Sequence, residues 1–288
     1  MSASYQHSES VPEITDEDFL KFKEFFYRKT GINFELTKRY FVDKRLVERI
    51  KATNTENFRG YFALLRFQPS GEELQQLTNL MTVNETYFLR EEYQFKCLVN
   101  SILPEIVQRK KGRDPIRIWC IPSSSGEEPY SVAMYLQETW PGIADWDVEI
   151  ISSDIDTNIL RRARAGRYSI RSVQHMPAVW LEKYFTGVKN EYQLCDDLRQ
   201  AVEFTRVNLS EPADTLRYRN FDIIFCRNLL IYFDDLSRKT AAEAFYEVLN
   251  PGGYICLGHS ESMSRISPLF KVCKFPEAIV YRKALEAR

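Results

Sequence analysis

Four short polar segments of this 288-residue chain carry residue types that could do chemistry, and each follows a run that reads as a β-strand. The sharpest is Phe221 to Asp234, FDIIFCRNLLIYFD, in which the apolar run Phe221, Ile223, Ile224, Phe225 ends abruptly in Arg227 and Asn228, with Tyr232 close behind. Near-continuous apolarity marks a strand covered on both faces, and in open α/β sheets ligands bind beyond the carboxyl ends of the strands. Arg227, Asn228 and Tyr232 are therefore expected at a site. The second segment, SSSGEEPYS from Ser123 to Ser131, follows a strand ending at Ile121 and opens a helix. Its small residues let backbone approach a ligand, and a helix N-terminus presents free N–H groups. Carboxylates at Glu127 and Glu128 would repel a pyrophosphate and suit a cation; they could equally do no more than complement the helix dipole, for about 0.3 to 1 kcal/mol each.

The third segment is Ser152-Ser153-Asp154-Ile155-Asp156. A carboxylate at the end of the second strand of a nucleotide-binding α/β fold commonly accepts hydrogen bonds from ribose hydroxyls, which makes Asp154 the candidate, while Asp156 is placed to cap the helix starting at Thr157. The fourth, Val207-Asn208-Leu209, could read an adenine edge, although a strand-end Asn also forms turns by itself. A further segment, NETYFLR from Asn84 to Arg90, alternates polar residues with Tyr87, Phe88 and Leu89, as expected of a stretch that packs on one side and lines a cleft on the other. A surface Arg90 could merely pair with Glu91 or Glu92. No Ser-His-Asp or Cys-His arrangement emerges, and His175 and His259 have no ligand-spaced partners, so a metal is not indicated.

The elements that must hold these residues are legible as two regions. Thr15 and Asp18, just before Phe19, Phe22, Phe25 and Phe26, form a capping-box start for an amphipathic helix that Gly31 would stop. From Thr37 to Lys51, Val42, Leu46 and Ile50 recur every four positions; Lys38, Arg39, Lys44, Arg45, Arg49 and Lys51 outweigh Asp43 and Glu48, giving a basic helix. Helical patterns at Phe58 to Phe67 and Glu72 to Met81 complete an all-helical region of about 90 residues. After the basic segment Arg109 to Arg113, β-type runs at Ile116 to Ile121, Val148 to Ser153, Val202 to Leu209, Phe221 to Cys226 and Tyr254 to Leu257 alternate with helical patterns at Glu127 to Trp140, Thr157 to Ala165 and Leu236 to Leu249. Such alternation predicts βαβ units around a mostly parallel sheet, with the turn Leu249-Asn250-Pro251-Gly252-Gly253 leading into its last parallel strand. Two short β patterns around Pro276, between Lys271 and Lys283, suit an antiparallel edge hairpin, and the roughly 35 residues between Gly166 and Val202 exceed a usual α-to-β connection and predict a small inserted subdomain that could hold a peptide.

Composition narrows the function classes. With 39 basic and 40 acidic residues, no global field draws the chain to nucleic acid or membrane, so a charge-steered partner must meet a local patch. Six cysteines without a C-x-x-C pair, mostly inside apolar runs, suggest a reducing, cytoplasmic compartment. The polar, acidic N-terminus and the lack of any 18-residue apolar stretch predict neither signal peptide nor membrane span.

Taken together, NETYFLRE from 84, GEEPYS from 126, SDIDT from 153, VNL from 207, CRNLLIYF from 226 and GHSE from 258 closely resemble the CheR family, the chemoreceptor glutamate methyltransferases that use S-adenosylmethionine. The resemblance covers nearly the whole chain. It implies a helical N-terminal receptor-docking domain and linker over 1–90, then a Rossmann-like S-adenosylmethionine-dependent α/β methyltransferase domain over 91–288 with a small inserted β-subdomain at about 167–201. By the same resemblance Asn84, Thr86, Arg90, Glu128, Asp154, Asn208, Leu209, Asn228 and Leu229 bind the cofactor, and Arg90 and Tyr232 are the catalytic cleft residues. The implied reaction forms glutamate methyl esters and S-adenosylhomocysteine. A glutamate of pKa near 4.3 is already a carboxylate at neutral pH, so the task is alignment and exclusion of water, and effective concentration can supply roughly 7 to 11 kcal/mol.

The resemblance also gives the basic helix a purpose, docking on the acidic methylation helices of a receptor through Lys44, Arg45, Arg49 and Lys51 in the cytoplasm, peripheral to receptor arrays. Some family members bind a receptor's C-terminal pentapeptide through a Gly-bearing loop of the inserted subdomain. The loop TGVKNEY from 186 is short with one Gly, which predicts weak or no such tether. A dehydrogenase is disfavoured because no G-x-G-x-x-G follows the first strand and Pro122 occupies its turn; a nucleic-acid amino-methyltransferase is disfavoured because Leu229-Leu230 follows Asn228 where Pro-Pro-aromatic would be expected. A silent donor-binding regulator on receptor arrays would carry the same binding residues and differ only in turnover, and a methyltransferase for a non-receptor substrate is the other alternative.

Overall fold

The computed structural model describes residues 12–110 and 114–285; the end of the basic segment after Lys110 and the start of the acidic N-terminal segment lie outside the described residues. The chain divides into two units, one reaching Lys29 and resuming over Asn33–Thr82, the other comprising Thr30–Ile32 and the chain from Val83 onward. The division falls after Thr82, earlier than the boundary at 90 read from the sequence. The reason is hydrogen bonding: within the second unit Phe88 N donates to Ser172 O at 2.9 Å and Leu89 N to Ser131 Oγ at 2.9 Å, which ties the NETYFLR segment to the sheet.

Among the described residues the helical unit has four α-helices, α1 (Asp16–Thr30), α2 (Arg39–Ala52), α3 (Phe58–Phe67) and α4 (Glu72–Met81). The expected reciprocal cap forms at α1, with Asp18 N on Thr15 Oγ1 and Thr15 N on Asp18 Oδ2, both at 3.2 Å. Phe19, Phe22 and Phe26 are buried while Phe25 is only partly so, and α2 buries Val42, Leu46 and Ile50, the stripe its periodicity predicts.

The second unit is built on a seven-stranded sheet of order β6-β2-β1-β7-β8-β10-β9. Its strands are β1 (Ile116–Cys120), β2 (Val148–Asp154), β6 (Val202–Arg206), β7 (Phe221–Cys226), β8 (Leu249–Leu257), β9 (Phe270–Lys274) and β10 (Ile279–Lys283). The first five pair in parallel and the last two form the antiparallel edge hairpin. Alternate residues feed two cores: Ile118, Cys120, Ile223, Phe225, Tyr254 and Cys256 enter one, while Trp119, Ile121, Ile224, Cys226, Ile255 and Leu257 enter the other with Ala241, Phe245 and Val248 of the helix Asp235–Val248. Burial on both faces explains the near-continuous apolarity of β7, interrupted only by Asp222, whose carboxylate is paired with Lys110. The Rossmann-like class expected from the sequence is the one observed.

Two departures are informative. Pro251, Gly252 and Gly253 lie inside β8, where the pairing with β7 shifts register between Phe221 and Ile223; the expected αβ turn is an irregular start to the strand. Helical turns over Tyr93–Cys97, Leu98–Ile102 and Leu103–Arg109, the middle one π-helical, were not foreseen. The insertion is a three-stranded antiparallel sheet of order β3-β5-β4, from β3 (Arg167–Ser169), β4 (Phe185–Val188) and β5 (Glu191–Leu194), with β4 and β5 joined by the two residues Lys189 and Asn190.

Candidate active site

The parallel strands β6, β2, β1 and β7 end side by side, and β1 and β7 flank the point where the chain crosses from one half of the sheet to the other. Helices and loops departing in opposite directions leave a crevice at such a switch point. After β1, Ser123 N bonds to Ser153 O at 2.7 Å and Ser124 N to Asp154 Oδ2 at 2.8 Å, so the SSSG turn is laid against the end of β2. Gly126, at φ 95°, closes that turn; a Cβ there would stand 3.0 Å from the Tyr130 ring and 3.1 Å from both Ala163 Cβ and the Tyr168 hydroxyl, so only glycine fits.

Asp154 is buried and accepts from two backbone N–H groups, Ser124 on Oδ2 and Asp156 on Oδ1 (3.0 Å). Burial outweighs those hydrogen bonds and pushes its carboxyl up to about 6. Asp156 is the N-cap, as expected, accepting from Asn158 N and Ile159 N. Its other oxygen takes the Asn84 side-chain amide at 2.9 Å, and Asn84 O accepts from Ser124 Oγ at 3.2 Å, which brings Asn84 to the ends of β1 and β2. Thr86 is half-buried on the same segment. Beyond β6, Asn208 is folded into a turn, its Oδ1 accepting from Ser210 N at 3.0 Å, and the Leu209 side chain is packed in the core, which leaves backbone to meet a ligand there.

Of the two helix-opening carboxylates, Glu127 is turned inward to Ser125 Oγ at 2.6 Å and burial raises its carboxyl. Glu128 bonds Arg227 Nη1 at 2.8 Å through Oε2. Its Oε1 is buried without a partner. Burial raises Glu128 as well, with Arg227 pulling the other way.

Arg90 sits between two residues in the left-handed region, Leu89 at φ 59° and Glu91 at φ 56°, and Ser124 (47°) and Asn228 (58°) adopt it too. Such conformations cost of order 1–3 kcal/mol each and persist where surroundings impose them. The Arg90 guanidinium donates to Glu85 O at 3.2 Å, lies 5.9 Å from the Tyr87 ring centroid, and makes no ion pair with any described carboxylate. Its charge acts on Tyr232, whose phenol is raised chiefly by burial, so Tyr232 is a neutral hydrogen-bond donor at neutral pH.

The turn after β7 is held by a residue that sequence reasoning quoted without a role. Glu261 accepts from the backbone N–H groups of Asn228 (2.8 Å), Leu230 (2.8 Å) and Gly258 (2.9 Å). Gly258 must lack a side chain, since a Cβ would approach the Asn228 amide and Glu261 Oε2 to 2.9 Å. Leu229 packs against the core. Arg227, named from the sequence but left unassigned, is buried among carboxylates; a charge directly after the apolar stretch 223–226 was the available signal, because a buried charge must be paired. Among the described residues, no group of three or more His, Cys, Asp or Glu could hold a metal ion, and no helix is long and apolar enough to cross a membrane.

Comparison with known proteins gives the family. Residues 84–279 match the family described as CheR methyltransferase, SAM binding domain, and residues 17–82 match CheR methyltransferase, all-alpha domain. The chain is 56% identical to chemotaxis protein methyltransferase 2 of Vibrio cholerae over 271 residues, covering 94% of each chain. It is 37% identical to chemotaxis protein methyltransferase 2 of Pseudomonas aeruginosa, over 89% of this chain and 90% of that one, and 33% identical to the chemotaxis protein methyltransferase of Salmonella typhimurium, over 88% and 86%. The residues present fit S-adenosylmethionine: Glu128 Oε1 and Ser123 Oγ are buried polar atoms lacking a protein partner, Gly126 keeps the strand-end turn free of a side chain, and the Asp154 carboxylate retains acceptor capacity beside it.

Proposed function

The chain belongs to the CheR methyltransferase family and is an S-adenosylmethionine-dependent methyltransferase; on that premise we propose that it methylates glutamate side-chain carboxylates of chemoreceptors, giving methyl esters. When bound, S-adenosylmethionine supplies a sulfonium methyl group that a carboxylate accepts without prior deprotonation. The observation that carries the reading is the pairing of an unsalted, half-buried Arg90 with a protonated Tyr232 at the strand ends, with no general base assigned beside them. Arg90 offers a planar cation to a carboxylate and Tyr232 offers a hydrogen bond to one of its oxygens. Glu128 receives the donor's ammonium, Asp154 its ribose hydroxyls, and Asn84, Thr86, the backbone at Asn208 and Leu209, and Asn228 with Leu229 enclose the remainder. The residues of the site thereby orient donor and acceptor and exclude water, which is the form of catalysis this reaction needs.

Docking is assigned to the helical unit, chiefly to Lys44 and Lys51 of α2, which are exposed. Arg45 and Arg49 are engaged within that unit: Arg45 donates to Leu80 O at 2.6 Å and lies over the Phe41 ring, and Arg49 pairs with Glu73. A C-terminal receptor peptide is not expected to add a tether, because β4 and β5 are joined by only two residues. A cytoplasmic place beside receptor arrays follows from this substrate.

The test is transfer of labelled methyl from S-adenosylmethionine to receptor-enriched membranes, followed by base treatment. Label released as methanol establishes carboxyl methylation, and Arg90→Ala and Tyr232→Phe should lose transfer. Donor binding without label on several receptors would favour a silent regulator or another substrate.

A further inference from the structure

The Arg227 side chain is only 2% exposed, and its guanidinium touches three groups on two separate segments. Nη1 donates to Glu128 Oε2 at 2.8 Å, on the helix that follows the SSSG turn. Nη2 donates to the backbone carbonyl of Arg90 at 2.5 Å and lies 3.3 Å from Glu91 Oε2. The face of the cation stands 5.7 Å from the Phe95 ring centroid. Glu91 is held from outside as well, by Tyr93 Oη at 3.0 Å and His259 Nδ1 at 3.0 Å.

A buried cation costs several kcal/mol to desolvate, and hydrophobic residues of similar volume often serve stability as well or better. This one is instead spent on the two segments whose groups face the donor and the acceptor. Both flanks of Arg90 are left-handed, a backbone that relaxes unless held, and the hydrogen bond from Arg227 falls on the carbonyl between them.

We propose that Arg227 is a positioning residue for methyl transfer: its planar fork clamps the Arg90 backbone and the Glu128 carboxylate in one geometry, so that donor and acceptor sites are set relative to each other by a single side chain. The proposal rests on the reading of Arg90 and Glu128 given above. It distinguishes Arg227 from a residue that only stabilises the fold, because Arg227→Lys keeps the charge and most of the volume but cannot reach two segments with a rigid fork.

The experiment compares wild type, Arg227→Lys, Glu91→Gln, Arg90→Ala and the core control Phe245→Leu for kcat, KM, affinity for S-adenosylhomocysteine and Tm. Arg227→Lys should bind S-adenosylhomocysteine within about fivefold of wild type and lose about a hundredfold in kcat, the scale of a 1 Å misplacement. Glu91→Gln, which keeps the volume and loosens one side of the clamp, should fall between the two. The control, matched for loss of Tm, should keep its kcat. Arg227→Lys and Glu91→Gln with wild-type kcat, while Arg90→Ala is inactive, would overturn the clamp and leave the active-site reading standing. An active Arg90→Ala would remove that reading and the clamp with it. Should Arg227→Lys fail to fold, Glu91→Gln decides alone, a kcat no lower than the control's counting against the proposal.

Discussion

Two arginines among the described residues, half-buried Arg49 and buried Arg227, are paired with carboxylates, and they are built differently. In the helical unit Arg49 meets Glu73 face to face, Nε on Oε1 at 2.9 Å and Nη2 on Oε2 at 2.6 Å, with Tyr61 Oη adding a third bond to Glu73 at 2.8 Å. Glu73 N is closed by Gln68, and the cluster joins α2, α3 and α4. In the sheet unit Arg227 is shared between Glu128, Glu91 and a carbonyl, and its Nε, like Glu128 Oε1, is buried without a partner. The first network is satisfied within itself and packs helices. The second keeps two buried polar atoms, Arg227 Nε and Glu128 Oε1, without a protein partner. An incompletely satisfied buried network is costly as architecture and useful as a site.

The largest effect that sharpens this contrast is on stability. Glu73→Ala strands the Arg49 cation and should cost about 3 kcal/mol, read by denaturant unfolding, with kcat unchanged at temperatures where the protein is folded. A large drop in kcat would break the division between the two arginines. Next is Glu261→Ala, which leaves three backbone N–H groups of the β7 and β8 turns without their acceptor. At about 1.5–3 kcal/mol for hydrogen bonds to a charged group, kcat/KM should fall on the order of thirtyfold, with partial recovery in Glu261→Gln.

The pH response of Asp154 is smaller and signed. Its folded pKa is about 6 against an ordinary value of 3.8, so the native state holds the proton more tightly than the unfolded one. Stability of the donor-free protein is therefore highest at low pH on this account and declines as pH rises through about 6. Donor affinity should run the opposite way, strengthening as Asp154 ionises, with a midpoint near pH 6 that disappears in Asp154→Asn; calorimetry from pH 5 to 8 measures both. The smallest effect is at the docking helix. Lys44→Glu with Lys51→Glu should raise the apparent KM for receptor a few-fold at low salt and leave Tm unchanged, whereas Arg45→Glu should lower Tm because it loses the Leu80 carbonyl.

Much of the fold was legible because burial imposes periodicity. The α2 stripe of Val42, Leu46 and Ile50 and the apolar run of β7 follow directly from what each element covers. Local hydrogen bonding was equally readable, since the Thr15–Asp18 box and the Asp156 cap join residues two or three apart. The turns over Tyr93–Arg109 were missed although Phe95, Leu98, Val99, Ile102, Leu103 and Ile106 stand at i, i+3, i+4, i+7, i+8 and i+11, a helical spacing that was present in the sequence and passed over. At the site, residue types were legible and their loyalties were not. Of the four cations proposed for docking, two are engaged by partners 24 and 35 residues away.

The sequence by itself determined the class of fold, the family, and the candidate residues at the strand ends, because these depend on composition and on spacings of a few positions. Only the tertiary structure decided which charges are paired with each other and which are not. Arg227 reaches Glu128 across 99 positions and the Arg90 carbonyl across 137, and no local pattern encodes such a meeting; it arises when β1 and β7 are laid side by side and a buried cation must find its counter-charge.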